Sequence, residues 1–380
     1  MQSTDFSVGN PADIGIDATK LQELLDRARK EVDEGFLPSA QIAIARHGKL
    51  AAFETFGEAT NDSLYCIFSS TKAITSAAAW LLIQDGSLDI LRKVSEIVPE
   101  FSANGKQNIT IEQLFTHTAG FPHAPFRPTD WNDKARRAER YSAWTLNWEP
   151  GSRYEYHPTS SMWMIAEIIE RLSGKDFTDF VREKISLPLG LPDLWVGCPQ
   201  EQHNRITEII HVGDGLTSDD YKKLGIPEPP VTEVTEDVLT AFNNTDIRLV
   251  GVPGGGGITS AADLALFYQG LNNNTLWNHE TLEFALKVRT GNLVDQLSNV
   301  PVNRALGVSV AGDEKRNLRG FGHTNSPMAF GHGGAGGQIG WVDPATGISI
   351  GYCTNGHDRN PIRTARRGIS ISNRAVQCAI

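Results

Sequence analysis

The hydrophobic pattern divides the chain into recognisable pieces. Residues 17 to 34 mix acidic, basic and apolar positions at helical spacing and predict an amphipathic helix. Beyond Gly35-Phe-Leu-Pro38 come two β-type runs, Gln41-Ile-Ala-Ile-Ala-Arg46 and Leu50-Ala-Ala-Phe53, joined by His47-Gly48, which predicts a hairpin. Ala77-Ala-Ala-Trp-Leu-Leu-Ile83 is apolar on every side and predicts a buried helix. Near the other end, Gly337-Gln-Ile-Gly-Trp-Val342 and Ile348-Ser-Ile-Gly-Tyr-Cys353 flank Asp343-Pro-Ala-Thr-Gly347 as a second hairpin, and Pro361 opens a final helix.

Strands at both ends with helical sequence between them predict an α+β fold. Its antiparallel sheet would be built from both termini and flanked by helices, with a mainly helical region inserted. Residues 1–64 and 250–380 are assigned to the sheet region and 65–249 to the helical one, the whole forming one catalytic unit. Stretches 121–148 and 199–249 are rich in Pro, Gly, Trp and charge without sustained periodicity, and are expected to act as lids or pocket walls.

Composition narrows the function. With 380 residues, 40% of them hydrophobic, the chain can bury a sizeable core. A net charge of −10 argues against nucleic acid and anionic membranes as partners and leaves a small molecule. The first residues lack the basic and apolar segments of a signal peptide, and no run is long enough to span a bilayer, so a cytoplasmic location is expected. Cys66, Cys198, Cys353 and Cys378 lack Cys-x-x-Cys spacing, and His-Glu-x-x-His is absent. No metal, disulfide or cofactor is expected, and His117 and His123 read as loop residues.

The chemistry concentrates at Ser69-Ser-Thr-Lys72. A serine and a lysine three residues apart at the start of a helix share one face, near free backbone N–H groups and the positive end of the helix dipole. That places Ser69 as nucleophile and Lys72 as its partner. A Gly-x-Ser-x-Gly match at Gly347, Ser349 and Gly351 lies inside an alternating strand rather than at a strand-to-helix turn, so it is not a nucleophile elbow. Gly254 to Gly257 lacks the Gly-Lys-Ser/Thr of a phosphate loop and reads as a close backbone approach beside the cleft.

Further segments extend the pattern: Gly86-Ser-Leu-Asp-Ile90, Ile109-Thr-Ile-Glu-Gln-Leu-Phe-Thr-His-Thr-Ala-Gly-Phe-Pro122, Trp148-Glu-Pro-Gly-Ser-Arg-Tyr-Glu-Tyr156, Leu187-Pro-Leu-Gly-Leu191 and Val252-Pro-Gly-Gly-Gly-Gly-Ile-Thr-Ser-Ala-Ala-Asp263. In this order they resemble the serine β-lactamase and penicillin-binding-protein superfamily, in the branch that holds class C β-lactamases, D-amino-acid peptidases and family VIII carboxylesterases. The resemblance implies Tyr156 as the catalytic tyrosine of a Tyr-x-Asn motif, which here reads Tyr156-His157-Pro158 without the asparagine. It implies that His332-Gly333-Gly334 stands for a Lys-Thr-Gly motif, and that the amides of Ser69 and Ala335 form the oxyanion hole. His157 and Trp148 are further expected substrate-binding residues. Trp131, Trp144, Phe121 and Phe126 suit either an apolar acyl pocket or a core.

The implied activity is hydrolysis of a small-molecule carboxylic ester or lactone through an acyl-enzyme on Ser69. Lys72 and Tyr156 would share the proton transfers, and which of them is the base is not readable from sequence. The missing asparagine and the replacement of lysine by His332 favour neutral esters over β-lactams or peptides. An amidase or D-peptidase, a weak β-lactamase, an acyltransferase and a catalytically silent ligand-binding relative are the alternatives. Oligomeric state is not readable.

Overall fold

The computed structural model describes residues 8–228 and 235–380, so residues 229–234 of the second expected lid lie outside it. Helix α1 (Ala18–Asp33) starts at Asp17, whose carboxylate accepts from the amides of Thr19 and Lys20. Strands β1 (Ser39–Arg46) and β2 (Lys49–Gly57) form the expected hairpin. His47 and Gly48 both take positive φ, 53° and 75°, as a two-residue turn matched to strand twist requires.

After β3 (Tyr65–Cys66) comes helix α2 (Thr71–Gln84), nearly all of it buried, as its continuous apolar run predicts. Helices α3 (Lys134–Ala143) and α4 (Ser160–Ser173) follow in the inserted region. The chain then returns through β4 (Gly257–Thr259) and α5 (Ala261–Asn272) to strands β5 (Ser309–Val310), β6 (Phe330–Gly331), β7 (Ile339–Asp343) and β8 (Ile348–Thr354). It ends in α6 (Pro361–Gln377), capped by Asn360 and begun by proline.

The main sheet has the order β2-β1-β8-β7-β6-β5, antiparallel throughout. The termini meet at its centre, where β1 pairs with β8 from Ala40 opposite Thr354 to Arg46 opposite Ile348. Side-chain alternation assigns the two faces. Ile42, Ile44, Trp341, Ile350 and Tyr352 pack with α1 and α6, while Ala43, Ala45, Val342 and Cys353 join the larger core containing α2, α4 and α5. Gly351 is required by the approach of α5, since a Cβ there would lie 2.2 Å from the Ala261 carbonyl oxygen. Buried Ser349, which donates to the Ala265 carbonyl at 2.8 Å, is a core residue on this face.

The aromatic residues of the first insertion prove to belong to the core. Phe121, Trp131 and Trp144 are buried, and Phe126 packs among Tyr141, Trp144 and Trp163, so these aromatics support the inserted region, with Trp144 also bordering a cavity beside His123 and Arg140. All four cysteines are buried free thiols, and no helix among the described residues is long and apolar enough to cross a membrane.

Candidate active site

The chain reaches Ser69 through Phe68, whose φ of 43° is left-handed for a side chain packed edge-on against Phe242. Ser69 lies in the single 3-10 turn Phe68–Ser70, immediately before α2. This turn is fixed by hydroxyls: Thr71 Oγ1 donates to the Phe68 carbonyl and accepts from the Gly257 amide, while Ser70 donates to the His332 carbonyl at 2.8 Å. The last contact ties the serine turn to the strand that carries the His332 motif.

Lys72, one turn on, is completely buried. Its Nζ donates to the carbonyl oxygens of Pro158 and Gly254, both at 2.7 Å, and lies 3.2 Å from Ser69 Oγ. Burial holds its pKa well below the ordinary 10.5, and the nearby Arg304 cation pushes the same way. A neutral amine has two N–H bonds and one lone pair. In that form, with the two carbonyls taking the hydrogens, the lone pair would be left for the serine hydroxyl. The Gly254 carbonyl comes this close because residue 254 lacks a side chain: a Cβ there would sit 3.0 Å from the Pro158 oxygen.

Tyr156 hydrogen-bonds Ser69 from the other side, with Lys72 Nζ 5.0 Å from its ring centre. Burial raises its pKa above 10, opposed by Arg304 and by the serine contact, so the phenol keeps its proton at neutral pH. The geometry thus brings together the serine, lysine and tyrosine singled out in the sequence, with burial disfavouring the charged form of both the lysine and the tyrosine.

The glycine-rich motif lies directly against the serine turn. A Cβ on Gly334 would stand 2.2 Å from the Ile67 carbonyl oxygen. Gly334 is paired to Gln338 through its amide, and Ala335 opens a 3-10 turn. Ser69 and Ala335 both occupy the beginnings of short 3-10 segments, where amide N–H groups lack intrahelical acceptors. His332 is buried and uncharged, its pKa driven well below 6.5 by burial and by Arg304 and Lys72. Its Nδ1 donates to the Gly333 carbonyl at 2.7 Å, which leaves Nε2 as an unpaired acceptor.

Two expected substrate-binding residues have other work. His157 is fully buried, with Nδ1 donating to the Glu155 carbonyl at 2.7 Å and Nε2 accepting from the Phe121 amide at 3.2 Å. Both ring nitrogens are used, and burial depresses its pKa to about 3, so it offers a substrate neither a free polar atom nor a charge. The Trp148 indole N–H goes to Glu155 at 2.9 Å, and Arg153 covers its ring. Sequence reasoning also missed two residues. His117 packs 4.6 Å from the Tyr156 ring, and Arg304 lies 5.5 Å from the same ring centre. The signal for Arg304 was its isolation as the one charge between Asp295 and Asp313.

Among known proteins, the sequence profile of the β-lactamase family matches residues 24–370. An esterase/β-lactamase LipL of Mycobacterium tuberculosis is 26% identical over 320 residues, covering 77% of this chain and 70% of that protein. A putative D-alanyl-D-alanine carboxypeptidase of Escherichia coli K12 is 24% identical across 91% of this chain and 84% of its own length. The crystal structure of a family VIII carboxylesterase superposes with a TM-score of 0.77 at 24% identity, over 96% of this chain and 99% of that one.

Proposed function

The chain belongs to the β-lactamase family, and on that footing we propose that it is a serine hydrolase cleaving carboxylic esters of small molecules through an acyl-enzyme on Ser69. The observation that carries this reading is the buried Lys72 amine, its charged form disfavoured by burial, donating to the Pro158 and Gly254 carbonyls and lying 3.2 Å from Ser69 Oγ. It is built as a base for one hydroxyl.

Lys72 takes the Ser69 proton as Oγ attacks the ester carbonyl. The carbonyl oxygen becomes an oxyanion held by the Ser69 and Ala335 amides. Collapse breaks the bond to the alcohol oxygen, which receives the proton from Lys72 by way of the Tyr156 hydroxyl. Water then gives its proton to Lys72, attacks the acyl carbon and releases the carboxylic acid as Ser69 regains its hydrogen. Ester is favoured over amide because Pro158 has no side-chain donor or acceptor to hold a substrate amide. The family VIII carboxylesterase and the esterase/β-lactamase among the similar proteins support the same choice.

The test is p-nitrophenyl butyrate turnover by the wild type and by Ser69→Ala, with nitrocefin in parallel. Ester turnover that disappears with Ser69, and little nitrocefin cleavage, is the expected result. Nitrocefin turnover without ester turnover would replace this reading with a lactamase.

A further inference from the structure

Between α6 and the sheet lies an open cleft of about 200 Å³, lined by none of Ser69, Lys72 and Tyr156. One wall is the strand that carries the His332 motif, from Gly331 to Gly333, with Gly337 and Gln338 beyond it. The other is α6, through Thr364, Ala365, Gly368 and Ile369. Buried Phe321, Ile339 and Trp341 complete it, while Ala365 and Gly320 are exposed, so the cleft is open to solvent. Gly368 keeps it open. Glycine is unfavourable inside a helix, and here neither backbone nor crowding demands it, because a Cβ at 368 would meet nothing within 4 Å.

The lining defines an occupant. Arg319 is the only Lys, Arg, Asp or Glu side chain among the described residues that line the cleft, and its guanidinium is already paired with Asp313 and the carbonyls of Pro301 and Ala311. Burial also disfavours the charged form of His332. A ligand here meets no free charge, so it is neutral. Two polar groups remain: the Thr364 hydroxyl, which has no partner, and the half-exposed Asn317 amide. They suit one hydroxyl on an otherwise apolar molecule. A cavity of about 150 Å³ holds benzene, so about 200 Å³ takes a single ring with one or two small substituents. Glycine backbone on both walls leaves a slot suited to a planar ring.

The cleft also touches the catalytic turn from behind. Gly337 and Gln338 belong to the turn that presents Ala335, where Gly336 and Gly337 take positive φ of 76° and 97°. Arg367, the α6 residue beside Gly368, donates to the Gly336 carbonyl at 3.0 Å. Ser70 donates to the carbonyl of His332, another residue of the cleft wall. One helix therefore lines the cleft and holds the turn. A ligand that fills the space between α6 and the strand restrains both.

Resting on the ester-hydrolase reading for its effect on rate, we propose that this cleft is an effector site for a neutral monocyclic phenol, whose occupancy braces the turn carrying Ala335 and raises ester turnover at Ser69.

The experiment titrates p-cresol calorimetrically into Ser69→Ala and into Ser69→Ala/Gly368→Leu. Leucine is a good helix former, and at 368 its side chain enters the open space. Saturable binding to Ser69→Ala is expected with a Kd on the order of 1 mM, in range for a ligand of about eight heavy atoms. Gly368→Leu should weaken it at least about ten-fold by filling the cleft. Thr364→Val should weaken p-cresol by about two- to ten-fold, the range of one hydrogen bond, and leave toluene binding as it was. No saturable binding, or equal binding with leucine at 368, would overturn the site whether or not esters are turned over. The rate is then read by pH-stat with ethyl butyrate, whose products contain no phenol. Saturating p-cresol should raise kcat by at least about two-fold in the wild type, a modest coupling between two sites, and leave Gly368→Leu unaffected. An unchanged or lowered wild-type kcat, or an equal rise in Gly368→Leu, would overturn the effector role. A wild type that cleaves no ester would sink the hydrolase reading instead, and the titration would still decide the site.

Discussion

Replacing Lys72 by methionine tests the central inference, that this amine is uncharged in the folded protein. Methionine nearly preserves the volume and removes the nitrogen. Loss of a positioned base lowers rate by about 100- to 10,000-fold, which corresponds to about 3–5 kcal/mol of transition-state stabilisation. The distinctive consequence is in stability against pH. In the unfolded chain the lysine titrates at its ordinary 10.5, and burial puts the folded value well below that. Between the two, the unfolded state holds one proton more than the folded state. Stability of the wild type therefore rises with pH by up to about 1.4 kcal/mol per unit on account of this group, is complete above 10.5, and is lost as pH falls through the folded value. The methionine variant lacks that slope. It also leaves the Pro158 and Gly254 carbonyls without a donor, a pH-independent cost of about 1–3 kcal/mol each. Urea unfolding of both proteins at pH 7, 8 and 9 reads the difference. Parallel lines across that range would show that Lys72 carries its proton when folded, and the mechanism would need another base. The wild-type kcat/KM should rise through the same folded value and then level.

Three other substitutions probe the surroundings. Gly334→Ala puts a methyl group against the Ile67 carbonyl; because backbone must move to relieve it, ester kcat is expected to fall about 100-fold or more, as when an oxyanion donor is lost, and unchanged kcat would refute the close packing. His157→Ala leaves the Phe121 amide and Glu155 carbonyl unpaired, so it should cost about 1–3 kcal/mol of stability with KM for p-nitrophenyl butyrate unaltered; a raised KM without destabilisation would restore a substrate role. Burial and the neighbouring Asp193 raise the Asp263 carboxyl to about 8, so the folded state holds a proton that the unfolded chain gives up above 3.8, and stability declines as pH rises through that window. Asp263→Asn should therefore gain on the wild type between pH 5 and pH 9 in thermal unfolding, and an equal difference at both pH values would contradict the shift.

What was legible in the sequence was local. Both hairpins announce themselves through short β runs and turn chemistry, and the Ser69–Lys72 pair through a spacing that one helical turn makes a contact. The role of Pro158 was hidden because its contribution is a backbone carbonyl, which no residue type advertises. His157 reads as a polar residue beside a catalytic tyrosine, yet its ring is spent on two backbone groups from the first insertion. Arg304 escaped because 148 residues separate it from Tyr156, and only the folded sheet region brings them together. The aromatic residues of 121–148 had the composition of a pocket and the burial of a core, a distinction that depends on what packs against them.

The loss of the motif asparagine now has a physical reading that can be tested directly. The lysine's hydrogens are already satisfied by the Pro158 and Gly254 carbonyls, so an asparagine at 158 is not needed to orient the amine. Proline serves this arrangement because its fixed φ restrains the residue whose carbonyl does the holding. Pro158→Asn keeps that carbonyl and adds an amide side chain, so ester turnover should stay within about ten-fold of wild type, since a base held at a second point loses little of its contribution. Nitrocefin cleavage should remain low, because the change adds amide recognition without restoring the lysine that His332 replaces. If this one substitution raised nitrocefin turnover by two orders of magnitude at the expense of esters, position 158 alone would set substrate class.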